Sequence, residues 1–175
     1  MKNPKAKGAA YERAVCKALS LWLSHGEHED WFWRSAMSGG RSTVARKRGV
    51  KLAQHAGDIT ATHPGGEALT KRFFIECKSY KSLAIESFIF RNTGVLAKFW
   101  QVAYKQAISY DKVTMMIVKQ NGSASYVLLD APGRLTLAPM LSQSITRNYI
   151  VKLLRDGKPI YFYDFDALTK IPFKK

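Results

Sequence analysis

The chain has 175 residues, of which 46% are hydrophobic and 12% aromatic, and 28 Lys and Arg against 13 Asp and Glu give it a net charge of +15. This length and apolar content fit one folded domain and argue against a disordered chain. The charge favours a polyanionic partner, nucleic acid before an anionic membrane, because the sequence has neither a basic amphipathic helix nor a lipid anchor.

An amphipathic helix is predicted over residues 7–24. Glu12 projects between Leu19 and Leu23 at 100° per residue, whereas Arg13 and Lys17 lie on the opposite side. A carboxylate on a buried face needs a partner, and a metal or a basic site would provide one. The apolar arc of this helix consists of Tyr11, Val15, Ala18, Leu19, Trp22 and Leu23.

A short strand over residues 31–35 and a basic loop are predicted next. Ser35 and Ser38 either bind a phosphate or cap a turn. The four tryptophans, Trp22, Trp31, Trp33 and Trp100, are expected in the core rather than as stacking platforms, with Trp31 or Trp33 facing DNA or a dimer partner as the alternative. The stretch from residue 34 to 51 contains no acid, and its cations favour contacts with phosphates over a merely solvated loop. These cations are Arg34, Arg41, Arg46, Lys47, Arg48 and Lys51.

Two alternating segments carry the candidate chemistry: Asp58-Ile59-Thr60-Ala61 and Phe74-Ile75-Glu76-Cys77-Lys78, with turn residues His63-Pro64-Gly65-Gly66 between them. Glu76 and Lys78 project to the same side of their strand, where they are costly to desolvate unless they are paired or bind a ligand. If the two strands pair, Asp58 and Glu76 converge with Lys78 beside them. Two carboxylates and a lysine predict a divalent-cation site for phosphodiester hydrolysis.

Each of these residues also has a simpler interpretation. Glu76 and Lys78 could form a surface ion pair. Asp58 could be a turn carboxylate after Gly57.

The remaining sequence predicts a helix over residues 96–110 and a hairpin of residues 113–118 and 125–129 around Gln120-Asn121-Gly122. Residues 149–154 and 160–165 are either short strands or helical turns. The inner face of the helix consists of Leu96, Phe99, Trp100, Ala103 and Ala107. We therefore expect a single α/β domain over residues 1–175 with a central mixed β-sheet flanked by helices, a catalytic core over about residues 7–130 and an extension at 131–175.

Targeting and cysteine usage predict a cytoplasmic protein. The basic N-terminus precedes no apolar run long enough for a signal peptide, and residues 19–23 are too few to span a bilayer. Cys16 and Cys77 fall at predicted core positions without a metal-binding spacing, which fits a reducing compartment.

The order of a helical Glu12, then Asp58, then Glu76-Cys77-Lys78 resembles the PD-(D/E)xK nuclease superfamily, which has the restriction-endonuclease-like fold. Residues 7–13 (Lys-Gly-Ala-Ala-Tyr-Glu-Arg) and 34–40 (Arg-Ser-Ala-Met-Ser-Gly-Gly) are most similar to archaeal-type and phage Holliday junction resolvases. The long insertion at residues 41–56 and the C-terminal third depart from that pattern.

The resemblance implies a metal-dependent endonuclease with Glu12, Asp58, Glu76 and Lys78 as catalytic residues. Asp58, Glu76 and the Cys77 carbonyl would hold Mg²⁺, with Mn²⁺ as an alternative. Lys78 would position or activate the attacking water, and Glu12 would orient water or a second metal. Gln106, which precedes Tyr110 with a spacing seen in some branches of the superfamily, would contact phosphate or water unless it is a helix surface residue.

The implied substrate is branched DNA, such as the four-way junction of recombination and repair, cut by a homodimer in a bacterial, archaeal or phage-infected cell. A general repair or restriction-type nuclease is one alternative. A basic DNA-binding protein without catalysis is another.

Overall fold

A five-stranded mixed β-sheet lies between two layers of helices in the computed structural model, which describes residues 4–35, 56–145, 149–153 and 157–174. The helices are α1 (Pro4–Leu23), α2 (Pro64–Thr70), α3 (Ile85–Arg91), α4 (Val95–Ser109), α5 (Ala131–Leu137) and α6 (Phe165–Thr169), with a 3₁₀ turn at Ala138–Met140. The strands are β1 (Phe32–Arg34), β2 (Ile59–Ala61), β3 (Phe73–Tyr80), β4 (Val113–Gln120), β5 (Ser125–Asp130), β6 (Tyr149–Leu153) and β7 (Pro159–Asp164). The predicted fold class is confirmed.

The main sheet has the strand order β3-β4-β5-β7-β6. β3 pairs with β4 in parallel, and the other neighbours are antiparallel, including the predicted β4–β5 hairpin. Between the two alternatives left open for the C-terminal segments, the structure shows strands, β6 and β7. Among the described residues β3 occupies one edge of this sheet, and that edge carries the predicted catalytic motif.

Apolar side chains cover both faces of the sheet. On one face α1 packs with α5 and α6, and on the other α3 and α4 pack against β3, β4, β5 and β7. The predicted inner faces of α1 and α4 are confirmed at the positions that are fully buried: Val15, Leu19, Trp22, Leu23, Leu96, Trp100, Ala103 and Ala107. Cys16 and Cys77 are buried free thiols, as predicted.

The predicted turn at residues 63–66 was wrong, because this segment begins helix α2. His63 is the N-cap residue, and its Nδ1 accepts a hydrogen bond from the Gly65 amide at 3.1 Å. Pro64 follows at the first helical position, where its missing N–H costs nothing. Gly65 lies so close to the Trp31 ring that a Cβ atom would overlap it.

The condition set for convergence, that the Asp58 strand pairs with the Glu76 strand, is met only by the single parallel bridge between Gly57 and Ile75. β2 pairs with β1 in an antiparallel two-stranded sheet, with Arg34 opposite Ile59. Since α2 separates β2 from β3, the two strands are not a hairpin. Trp33 on β1 is 58% exposed and is not a core residue, whereas Trp31 is half-buried and stacks on His28 and His63.

In the described part of the chain, no helix combines the length and the apolar character that crossing a membrane requires.

Candidate active site

The segment that precedes β2 is fixed against the open edge of β3. Gly57 has φ of 91° and forms a parallel bridge with Ile75. The Asp58 amide donates to the Ile75 carbonyl at 2.8 Å, and the Cys77 amide donates to Asp58 Oδ2 at 2.9 Å. The Ser35 amide donates to the Asp58 carbonyl at 2.8 Å. Asp58 is therefore held beside Cys77 by its backbone and by its side chain.

Glu76 and Lys78 project from β3 to the same side and meet Asp58 there. Lys78 Nζ donates to Glu76 Oε1 and lies 3.6 Å from Asp58 Oδ2. All three side chains are largely buried. The predicted convergence of these groups is thus present, although it arises from a single bridge residue and not from paired strands.

Burial and the nearby Asp58 carboxylate disfavour the charged form of Glu76. Burial, and then repulsion by Asp58, raise the pKa of Glu76 to about 7, although Lys78 acts in the opposite direction. Burial by itself lowers the pKa of Lys78, but attraction to Asp58 and Glu76 outweighs burial and raises that pKa above its ordinary value. The cluster therefore needs a cation between its carboxylates, and the Lys78 ammonium supplies one.

Replacing Glu76 by Gln is expected to stabilise the metal-free protein at pH 8 by on the order of 1–3 kcal/mol. The pKa of Glu76 rises from 4.5 to about 7 on folding, so the unfolded chain binds fewer protons between these values. The contribution of Glu76 to stability is complete below pH 4.5 and is lost as the pH rises through 7. Urea denaturation in EDTA at pH 5 and pH 8 measures the difference. A gain that is equal at both pH values would contradict this assignment, and Glu67→Gln, at an exposed glutamate, is the control.

Glu12 and Arg34 form an ion pair beside this cluster. Arg34 Nε donates to Glu12 Oε2 at 2.5 Å, which joins α1 to the end of β1. The charge of Glu12 also contributes to the raised pKa of Glu76, so the pair belongs to the same electrostatic site. Of the two partners that the sequence suggested for Glu12, a metal or a basic group, the described structure shows the basic group.

The other predicted contacts to DNA are only partly covered by the structure. Ser35 is buried next to Asp58, and Gln106 is half-buried on α4, seven residues after Phe99 and hence on the same helix face. The roles of both stay predictions. The remaining predicted contacts lie outside the described residues: Ser38, Arg41, Arg46, Lys47, Arg48 and Lys51.

The oxygen atoms at the open edge of β3 fit a hard divalent cation. In a strand the N–H and C=O of one residue point to the same side, so the Cys77 carbonyl faces Asp58 as its amide does. Mg²⁺ is held in proteins by one or two carboxylates and keeps several of its waters. Asp58 and Glu76 are two such carboxylates. In the described ranges no three His, Cys, Asp or Glu side chains are placed to hold a metal. Burial raises the pKa of the Cys77 thiol well above its usual range, so the thiolate form that binds metals is disfavoured. The atom that Cys77 offers to a metal ion is therefore its carbonyl oxygen.

A family comparison decides the assignment. The family described as "Phage putative PDDEXK endonuclease" matches residues 3–175. The chain belongs to this family. The chain is accordingly a nuclease, a metal-dependent phosphodiester hydrolase, and DNA is the partner that this activity implies. The resemblance to the PD-(D/E)xK superfamily is confirmed. No curated protein and no solved structure matches the chain.

Two aromatic residues next to Lys78 were missed as parts of the site. The Lys78 ammonium lies 5.7 Å from the centre of the Phe99 ring, and Phe99 contacts Tyr80. The alternation of β3 was a sufficient signal for Tyr80, because Glu76, Lys78 and Tyr80 follow one another at intervals of two.

Proposed function

We propose that this nuclease is an Mg²⁺-dependent endodeoxyribonuclease that cuts branched DNA, with the four-way junction as its main substrate. The observation that carries the proposal is the convergence of Asp58, Glu76 and Lys78 on the open edge of β3. The net charge of +15 and the resemblance of residues 7–13 and 34–40 to junction resolvases support the choice of substrate.

In this proposal Asp58, Glu76 and the Cys77 carbonyl hold the ion. When bound, Mg²⁺ polarises the phosphoryl group and lowers the pKa of a bound water. In the metal-free protein the attraction to Asp58 and Glu76 raises the pKa of Lys78, so this side chain is an ammonium that donates hydrogen bonds and offsets phosphate charge. It positions the attacking water through these bonds.

Glu12 and Arg34 act together at the flank of the site. A guanidinium has five N–H donors and only Nε is used by Glu12, so Arg34 retains donors for a phosphate oxygen. Glu12 orients this guanidinium and, as a carboxylate of the same cluster, orients water. Ser35, anchored on the Asp58 carbonyl, and Gln106 contribute further phosphate or water contacts.

The proposed working unit is a homodimer of single-domain protomers. A four-way junction is resolved by two symmetric cuts, and one cluster per chain supplies one of them. Residues 131–175 belong to the same domain in this proposal, since β7 pairs with β5 inside the main sheet.

Wild-type protein is expected to cleave a four-way junction with Mg²⁺ at least tenfold faster than a linear duplex or a flap of the same sequence, and to cleave nothing in EDTA. The reason is that the two scissile strands of a four-way junction are related by a twofold axis at the branch point, and the proposed dimer would place its two clusters according to that spacing, which a linear duplex or a flap does not reproduce. Initial rates on the three substrates measure the preference. Equal rates would support the alternative, a general repair or restriction-type nuclease, and cleavage in EDTA would refute the metal-dependent mechanism.

A further inference from the structure

On β3 the two same-side polar residues Glu76 and Lys78 are followed by an aromatic residue, Tyr80. Glu76, Lys78 and Tyr80 lie on the same side of the strand, successive members roughly 7 Å apart. Their exposure increases along the row, and the Tyr80 side chain is 43% exposed at the end of β3. Tyr80 therefore presents its ring to solvent directly beyond Lys78.

The Tyr80 ring is held in place by a contact with helix α4. Its centre lies 5.1 Å from the centre of the Phe99 ring on α4, with 42° between the ring planes. The same Phe99 ring carries Lys78 Nζ at 5.7 Å. The Tyr80 carbonyl accepts a hydrogen bond from the Asn121 amide at 3.0 Å. Tyr80 and Phe99, which we name the open aromatic pair, are thus fixed relative to the candidate catalytic cluster.

A second aromatic pair on the same face provides an internal comparison. Phe74, at the other end of this row, stacks on Tyr110 at the end of α4 with 6.1 Å between ring centres, and Phe74 is 3% exposed. That pair is core packing. The open aromatic pair joins the same strand and the same helix, but its Tyr80 ring remains in solvent, with the exposed cations Lys81 and Lys98 next to its members in sequence.

We propose that Tyr80 of the open aromatic pair, supported by Phe99, stacks on a nucleobase of the substrate beside the scissile phosphate. This inference rests on the proposed function in taking the cluster of Asp58, Glu76 and Lys78 as the cleavage site. Tyr80 lies roughly 7 Å from Lys78, a span of about two base steps. Inside a duplex each base is already stacked on both sides, so an aromatic side chain receives a base only where pairing and stacking are interrupted. The substrate class is DNA with an unstacked base next to the cut, as at a branch point.

Tyr80→Ala is expected to weaken binding of a four-way junction by about 5- to 150-fold in EDTA, where no cleavage occurs. Tyr80→Trp, which keeps an aromatic face, should restore most of the affinity and excludes misfolding as the cause. Phe90→Ala is the matched control, because Phe90 is a 79% exposed aromatic residue on α3 outside the described contacts of the site. Its affinity should stay within about twofold of wild type, and Kd is measured for all four proteins at one salt concentration.

An abasic scan of the junction completes the test. Wild type should lose affinity when the base is removed at one position adjoining the branch, and Tyr80→Ala should be insensitive to that removal. Equal abasic penalties in both proteins, or unchanged Kd in Tyr80→Ala, would overturn base stacking. A different result would overturn the proposed function instead: wild-type protein cleaves junction, duplex and flap at equal rates, while the Kd values of wild type and Tyr80→Ala on intact and abasic junctions behave as expected.

Discussion

Lys78→Ala is expected to lower the single-turnover cleavage rate of a four-way junction by about 10²- to 10⁴-fold, because the ammonium that positions water and offsets phosphate charge is removed. Glu76→Gln should have an effect of similar size, since one carboxylate of the metal pair is lost. Junction binding should survive both changes, because most of the basic residues remain. Rates with Mg²⁺ and Kd values in EDTA separate chemistry from binding.

A matched control is available within the chain. Glu67, in the first turn of α2, and Lys71, its C-cap residue, form an exposed ion pair of the same residue types as Glu76 and Lys78. Lys71→Ala and Glu67→Gln should leave the cleavage rate within about twofold of wild type, because an exposed pair contributes little. Cleavage by Lys78→Ala that stays within tenfold of these controls would remove Lys78 from the catalytic set.

Gly57→Ala is expected to destabilise the fold by about 2–4 kcal/mol and to abolish cleavage. A Cβ at this position would lie 2.5 Å from the Ile75 carbonyl oxygen, and the backbone has φ of 91°. The segment must move away from β3, which takes Asp58 out of contact with Cys77. Thermal melting should show a drop of about 5–15 °C.

Gly122→Ala separates the two causes of this loss. Gly122 also has positive φ, 73°, but a Cβ added to it would meet no atom within 4 Å. It therefore carries the conformational strain, about 1–2 kcal/mol, without the clash. If Gly57→Ala melts at the same temperature as Gly122→Ala and cleaves normally, then the close approach to Ile75 does not hold Asp58.

The elements that the sequence predicted well are those whose apolar pattern is long. α1, α4 and the β4–β5 hairpin repeat their periods over several turns or pairs of residues, and burial follows those periods. The Glu76 strand was predictable for the same reason. Its alternation placed Glu76 and Lys78 on one side before any tertiary contact was known.

The parts that failed depend on contacts between distant residues. Proline and two glycines after His63 signal a turn locally, yet the same residues start α2, where the glycines make room for Trp31 and Phe32. Glu12 and Arg34 are 22 residues apart, and no local pattern specifies their ion pair. The partner of β2 was equally hidden, because three-residue strands carry too little pattern to select a neighbour.

The hydrogen bond from the Cys77 amide to Asp58 Oδ2 has a consequence for the design of inactive forms that trap substrate. An alanine at position 58 would strip a buried amide of its acceptor, so the protein would lose integrity together with chemistry. Asparagine keeps an oxygen for that amide while removing the carboxylate of Asp58. Asp58→Asn is thus the substitution suited to capturing an uncut complex.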